Sequence, residues 1–145
     1  MLGWATESRE GVMRVRTGRC LCGKVSWRYE GPENWRGHCH CASCRRNTAS
    51  AFTTFMGVPI ERFAFTGEEP ATYSSSPGVR RRFCAACGTP VAYEADRYPQ
   101  EIHLYAAALD DAADFAPQFH VHDAERLPWI ELADALPRFP HSGGG

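Results

Sequence analysis

Long apolar runs are missing from this 145-residue sequence; no stretch approaches the roughly 20 residues of a membrane-spanning helix. An excess of charge of one sign is missing too. Sixteen Lys and Arg against seventeen Asp and Glu leave a net charge of −1, without the basic stripe that a non-specific nucleic-acid binder presents. The opening MLGWATESREGVM has no charged segment followed by an apolar core, so no secretory signal is expected and a cytoplasmic setting is. Helical pattern is scarce: only L-D-D-A-A-D (109–114) and I-E-L-A-D-A-L (130–136) suit short helical turns. Membrane anchoring, nucleic-acid binding and a helical bundle are therefore not expected.

What is there reads as an ordinary globular chain, 43% hydrophobic and 23% charged, long enough for one domain with a real core. The expected division is a poorly ordered leader at 1–13, a single domain at 14–140 and a flexible tail at 141–145. The domain is mainly β. V-M-R-V-R (12–16) and K-V-S-W-R-Y (24–29) alternate apolar and polar residues, and 52–58, 62–65, 79–83 and 102–107 are further strand candidates. Turn residues punctuate them at 31–34, 67–70 and 74–78. Alternation assigns Phe52, Phe55, Phe63 and Phe65 to the core, and Pro128 and Trp129 are read as core packing.

Seven cysteines without an export signal point away from disulfides and toward metal or redox chemistry. Cys20 and Cys22 form C-x-C, Cys39, Cys41 and Cys44 form C-x-C-x-x-C, and Cys84 and Cys87 form C-x-x-C. A structural zinc takes four protein ligands and a catalytic zinc three plus an open position, and seven is four plus three. Several partitions satisfy that sum. On a strand, C-x-C puts both thiols on one face, and C-x-x-C on a tight turn converges on one metal. The central motif already gathers three ligands within one short turn. Cys20 and Cys22 then meet Cys84 and Cys87 in a clip between distant strands.

The motifs G-R-C-L-C-G-K-V (18–25), C-H-C-A-S-C-R-R (39–46) and F-C-A-A-C-G-T-P (83–90) resemble those of the glutathione-dependent formaldehyde-activating enzyme family. L-D-D (109–111), F-H-V-H (119–122), L-P-W (127–129) and D-A-L-P-R-F (134–139) agree with it. The resemblance implies a β-tent of twisted antiparallel sheets, a structural Zn²⁺ on Cys20, Cys22, Cys84 and Cys87, and a catalytic Zn²⁺ on Cys39, Cys41 and Cys44. It further implies a small thiol such as glutathione and a small aldehyde such as formaldehyde as substrates of a carbon–sulfur lyase. Two departures stand out: Ala49, where a glycine is common, and Ala135, where D-G-L-P is usual.

Three thiolates on zinc leave one position that a fourth thiolate can enter, and coordination would deprotonate it. Arg45 and Arg46 follow the ligand turn and can pair with a substrate carboxylate, although a solvated charged surface accounts for them equally. His38 and His40 bracket Cys39 and are read as supporting or surface groups rather than ligands. His120 and His122 share a strand face; His120 matches a family histidine and is a candidate to orient a ligand or exchange a proton. The roles of His103 and His122 stay open. A zinc-stapled binding module without catalysis is the alternative reading. A thiol redox enzyme is disfavoured, because it needs a free reactive cysteine and all seven are assigned.

Overall fold

A computed structural model describes residues 14–142. The leader at 1–13, the start of the strand expected at 12–16 and residues 143–145 lie outside the described residues. Ten strands and one α-helix follow in chain order among them: β1 (Val15–Arg19), β2 (Ser26–Glu30), β3 (Trp35–Cys39), α1 (Ala42–Thr48), β4 (Thr53–Pro59), β5 (Phe63–Phe65), β6 (Ala71–Ser76), β7 (Val79–Phe83), β8 (Pro90–Ala95), β9 (Glu101–Tyr105) and β10 (Phe119–Val121). The mainly β expectation holds. The strands form two sheets, β1-β2-β5 and β10-β3-β4-β9-β8-β7-β6. All pairs are antiparallel except β10 with β3, which run parallel and so depart from the antiparallel expectation.

Alternation builds the smaller sheet. Along β1, Arg16 and Gly18 face inward; along β2, Trp27 and Tyr29 do. Gly18 lies opposite Trp27, and the indole covers it so closely that a Cβ there would sit 2.2 Å from a ring carbon. Tyr29, Met56, Val58, Ile102 and Leu104 fill the space between the sheets, with Phe63 and Phe65 packed at its margin. A second, smaller apolar cluster gathers Cys39, Cys44, Phe55 and Tyr105 on the other side of the large sheet's β4 and β9. Phe55 is buried as expected, while Phe52, Phe63 and Phe65 are only half-buried.

Three strands escaped the alternation rule, each for its own reason. β3 carries Gly37 in its middle because the Phe119 ring lies over it, leaving no room for a side chain. β6 is an exposed polar edge strand in a bulged hairpin with β7, and β8 is buried on both faces for part of its length. The strand expected around His120 is present as β10 but ends at Val121. The short helix α1 was hidden inside the ligand motif. Of the two helical turns expected, 109–114 contains a 3₁₀ turn at Ala112–Asp114, but 130–136 has no helix. There Asp134 spends its carboxylate on the Leu136 N–H (3.0 Å) and on His120, so side-chain bonds displace helical ones. Trp129 is 72% exposed and Pro128 is exposed, which corrects their reading as core.

α1 ends at Ala49 in the left-handed region (φ 58°), the conformation that favours glycine. Ala49→Gly should therefore stabilise the protein by about 0.5–1 kcal/mol. Gly18→Ala should cost about 2 kcal/mol or more through collision with Trp27. Thermal melts check both: a rise of a few degrees for the first, and a fall of roughly 8 °C for the second.

Candidate functional site

Three short chain reversals hold the seven thiols. After β1, the Gly23 N–H donates to the Cys20 carbonyl (3.1 Å) and the Val25 N–H to Cys20 Sγ (3.3 Å). After β7, the Gly88 N–H donates to the Cys84 carbonyl (2.8 Å) and the Cys87 N–H to Cys84 Sγ (3.4 Å). Gly23 (φ 84°) and Gly88 (φ 83°) both adopt the left-handed conformation that lets each turn close. C-x-C therefore lies in a turn and not on a strand, since β1 ends at Arg19. The turn achieves the convergence that strand alternation was expected to supply.

These two turns meet. Cys22 Sγ lies 3.7 Å from Cys20 Sγ and 3.8 Å from Cys84 Sγ, and all four ligand atoms fall within 4.8 Å of one another. Metal–sulfur bonds of about 2.3 Å in a tetrahedron give sulfur–sulfur edges of about 3.8 Å, whereas a disulfide needs about 2.05 Å. The cluster thus fits a metal ion and not a cross-link. Thr89 fastens it: its hydroxyl accepts from the Leu21 N–H (3.1 Å) and turns its proton to Cys87 Sγ at 3.2 Å. That hydrogen bond, helped by backbone N–H groups, pulls the Cys87 thiol down to about 5.

The third cluster is built across a strand end and a helix start. Cys39 closes β3, Cys41 caps α1 by accepting the Cys44 N–H (3.3 Å), and Cys44 sits in its first turn, 3.8 Å from Cys39 between sulfurs. Hydrogen bonds from the Cys39 and Cys44 thiols outweigh burial and hold the Cys41 thiol far below the ordinary range. Glu125 reaches across to accept the Ala42 N–H (2.9 Å), pinning the helix start to the segment after β10. Among the described residues, no fourth Cys, His, Asp or Glu atom joins these three sulfurs.

This cluster opens onto a groove of about 1720 Å³, which the four-cysteine cluster does not line. Arg46, Asn47, His122 and Glu125 flank the sulfurs. Beyond them runs an aromatic wall of Trp35, Tyr93 and Tyr98 around His103, with ring centroids 4.8–5.5 Å from that imidazole. His103 Nε2–H donates to the Glu101 carboxylate at 2.9 Å; burial nevertheless keeps its pKa below the usual histidine value.

Of the residues singled out around the ligand turn, Arg46 lines the groove, while Arg45 and His120 do not. His120 is wholly buried, with Nε2 3.0 Å from the Asp134 carboxylate and Nδ1 2.9 Å from His40 Nε2. The carboxylate fixes the tautomer: His120 Nε2–H donates to Asp134, so Nδ1 accepts from His40. His40, equally buried, is held neutral by desolvation, its pKa lowered to about 4. A chain Asp134–His120–His40 thus ties the C-terminal segment to the residue between Cys39 and Cys41. With His122 at φ 55°, just past the end of β10, the two histidines do not share a strand face; His122 turns to the groove and His120 away from it.

Sequence reasoning missed Arg81. It lies on β7, is 9% exposed, and lines the groove beside the Cys39–Cys41–Cys44 cluster. Its Nε donates to Ser75 Oγ (3.1 Å) and its guanidinium carbon sits 5.1 Å from the Tyr93 ring centroid. Only the V-R-R-R-F strand pattern, which places the middle arginine on the opposite face from its neighbours, could have flagged it.

The sequence profile described as glutathione-dependent formaldehyde-activating enzyme matches residues 15–125. A curated protein of Halomonas elongata, named provisionally as such an enzyme, is 25% identical over 125 residues, 79% of each chain. The crystal structure of a Rhodobacter sphaeroides protein resembles this fold with a TM-score of 0.56 and 21% identity, over 66% of this chain and 88% of that one.

The two clusters should respond differently to loss of a thiol. Cys87→Ser opens the turn-to-turn clip and should cost roughly 3–5 kcal/mol, comparable to losing a native cross-link, or more than 10 °C in melting temperature. Cys44→Ser should lower bound metal while leaving most of the melting temperature. Metal analysis and thermal melts on both variants check this; equal melting and equal metal content would contradict the division.

Proposed function

The chain belongs to the family of glutathione-dependent formaldehyde-activating enzymes, and on that premise we propose that it is a zinc-dependent carbon–sulfur lyase. In the synthetic direction it joins a small thiol, glutathione or one like it, to a small aldehyde such as formaldehyde. The observation that carries this reading is the three-thiol cluster on the wall of a large groove with no fourth protein donor. A purely structural site would close its coordination, as Cys20, Cys22, Cys84 and Cys87 can.

We assign one zinc ion to that four-thiol clip and a second to Cys39, Cys41 and Cys44. When bound there, the second ion supplies a place for an incoming sulfur as thiolate at neutral pH. The thiolate sulfur bonds to the aldehyde carbon, the carbonyl π pair moves to oxygen, and a proton completes the S-hydroxymethyl thiol. His122 and Glu125 line the groove next to Cys41, and His122 is our choice for the group that exchanges that proton. Arg46 and Asn47 are placed to hold polar ends of the thiol, and the Trp35–Tyr93–Tyr98 wall limits water around it. Seven free thiols suit a reducing compartment, and on that ground we place the reaction in the cytoplasm.

Cobalt substitution tests the reading. Glutathione should change the visible absorption as the donor set goes from three sulfurs to four, and the S-methyl analogue should leave it unaltered. Binding releases the thiol proton, so apparent affinity should rise with pH up to about 8.5, the ordinary thiol pKa. Equal responses to both compounds, or none, would favour a zinc-stapled binding module instead.

A further inference from the structure

Arg81 poses an electrostatic problem. It is nine-tenths buried, yet among the described residues no carboxylate lies within ion-pair distance of it, and its Nη1 has no hydrogen-bond partner. Its neighbours on either side are each matched: Arg80 pairs with Glu94 and Asp96, and Arg82 with Glu69 and Glu94. A guanidinium stays charged in proteins, so burying one without an anion is strongly unfavourable. The Arg81 guanidinium lies over the face of Tyr93 and lines the same groove as Cys39, Cys41 and Cys44, whose sulfurs are the groups there that can stand as its anion.

Charge counting gives the consequence. A divalent ion on three thiolates carries −1, and a fourth thiolate takes the centre to −2. An incoming thiolate is repelled by a centre that is already negative, unless a fixed positive charge stands beside it in the same low-dielectric groove. We propose that Arg81 is the counter-charge of the Cys39–Cys41–Cys44 centre and makes it selective for an anionic fourth ligand. The inference rests on the three-thiolate reading above and adds a positioning residue from a distant strand. Arg81 acts on the sulfur of the ligand. Arg46, exposed at the groove wall, is free to meet the ligand's other groups.

Two thiols distinguish the possibilities in the cobalt-substituted protein: 2-mercaptoethanol, whose only charge on binding is its sulfur, and 3-mercaptopropionate, which adds a carboxylate. Arg81→Met should weaken both by about tenfold or more, by equal factors, and Arg81→Lys should recover most of the loss. Arg81→Gln, which retains a hydrogen-bonding end for Ser75, carries the same comparison should the methionine variant fold poorly; melting temperatures monitor this. Unchanged 2-mercaptoethanol binding in the neutral variants overturns the proposal. Loss confined to 3-mercaptopropionate also overturns it, making Arg81 a carboxylate anchor. Loss that Arg81→Lys shares fully would assign Arg81 a merely shape-dependent role and overturn it as well. A wild-type protein silent to both thiols instead removes the lyase reading on which the inference stands.

Discussion

Two sheets that share no strand are brought together by four sulfur atoms. Cys20 and Cys22 follow the first strand of the small sheet, Cys84 and Cys87 follow β7 of the large one, and the approach of the two turns sets the position of everything else. The tie matters because the smaller sheet has only three short strands and little apolar area of its own. Hydrogen bonds run alongside it. Arg16 reaches the Asp111 carbonyl (2.8 Å) and Asp114 (2.7 Å), and the Thr17 hydroxyl donates to Asp110 (2.7 Å), fastening β1 to the loop after β9. A metal ion held by these four sulfurs would add its binding free energy to folding and help a chain of this size hold two sheets around a modest core.

The second cluster draws on that frame in a different way. Its three thiols come from one short stretch, so their convergence is local, but their surroundings are not. β4 and β9 bring Phe55 and Tyr105, β7 and β8 bring Arg81 and Tyr93, and the segment after β10 brings His122 and Glu125. On the buried side, the Asp134–His120–His40 chain locks the ligand turn from behind. A site so braced at its back and open at its front holds its own sulfurs rigidly while leaving room for a ligand.

Charge is distributed with the same asymmetry. Carboxylates match the arginines that flank Arg81, and the one that faces the thiols is left without a carboxylate among the described residues. Burial lowers the pKa of His40 and of His38, the two imidazoles that bracket Cys39. Electrostatics at the groove are thereby concentrated in few groups.

Much of this was legible in the chain itself. Spacing of the cysteines identified the trio Cys39, Cys41 and Cys44 and the pairs Cys20–Cys22 and Cys84–Cys87, because turns of four or five residues converge whatever surrounds them; Gly23 and Gly88 carry that local geometry with them. Alternation located β2, where Trp27 and Tyr29 are buried and their neighbours are half-buried; at β1 it met the strand but not its faces, since Arg16 is buried and Val15 is 48% exposed. It failed at β3, β6 and β8, where a glycine under a ring, an exposed edge or two buried faces erases the period. Trp129 and the 130–136 segment were misread because their environment comes from distant residues such as His120. For the same reason sequence proximity pointed to Arg45 and Arg46, whereas Arg81 stands 37 residues beyond Cys44. By itself the sequence determined which thiols gather within each turn, since that is a matter of short-range chain geometry; that the turn of Cys22 meets the turn of Cys84, 62 residues away, is the work of the packed sheets. Which charges, rings and histidines surround them was decided only by the tertiary structure, because burial and proximity across strands are properties of the packed sheets and not of any local stretch.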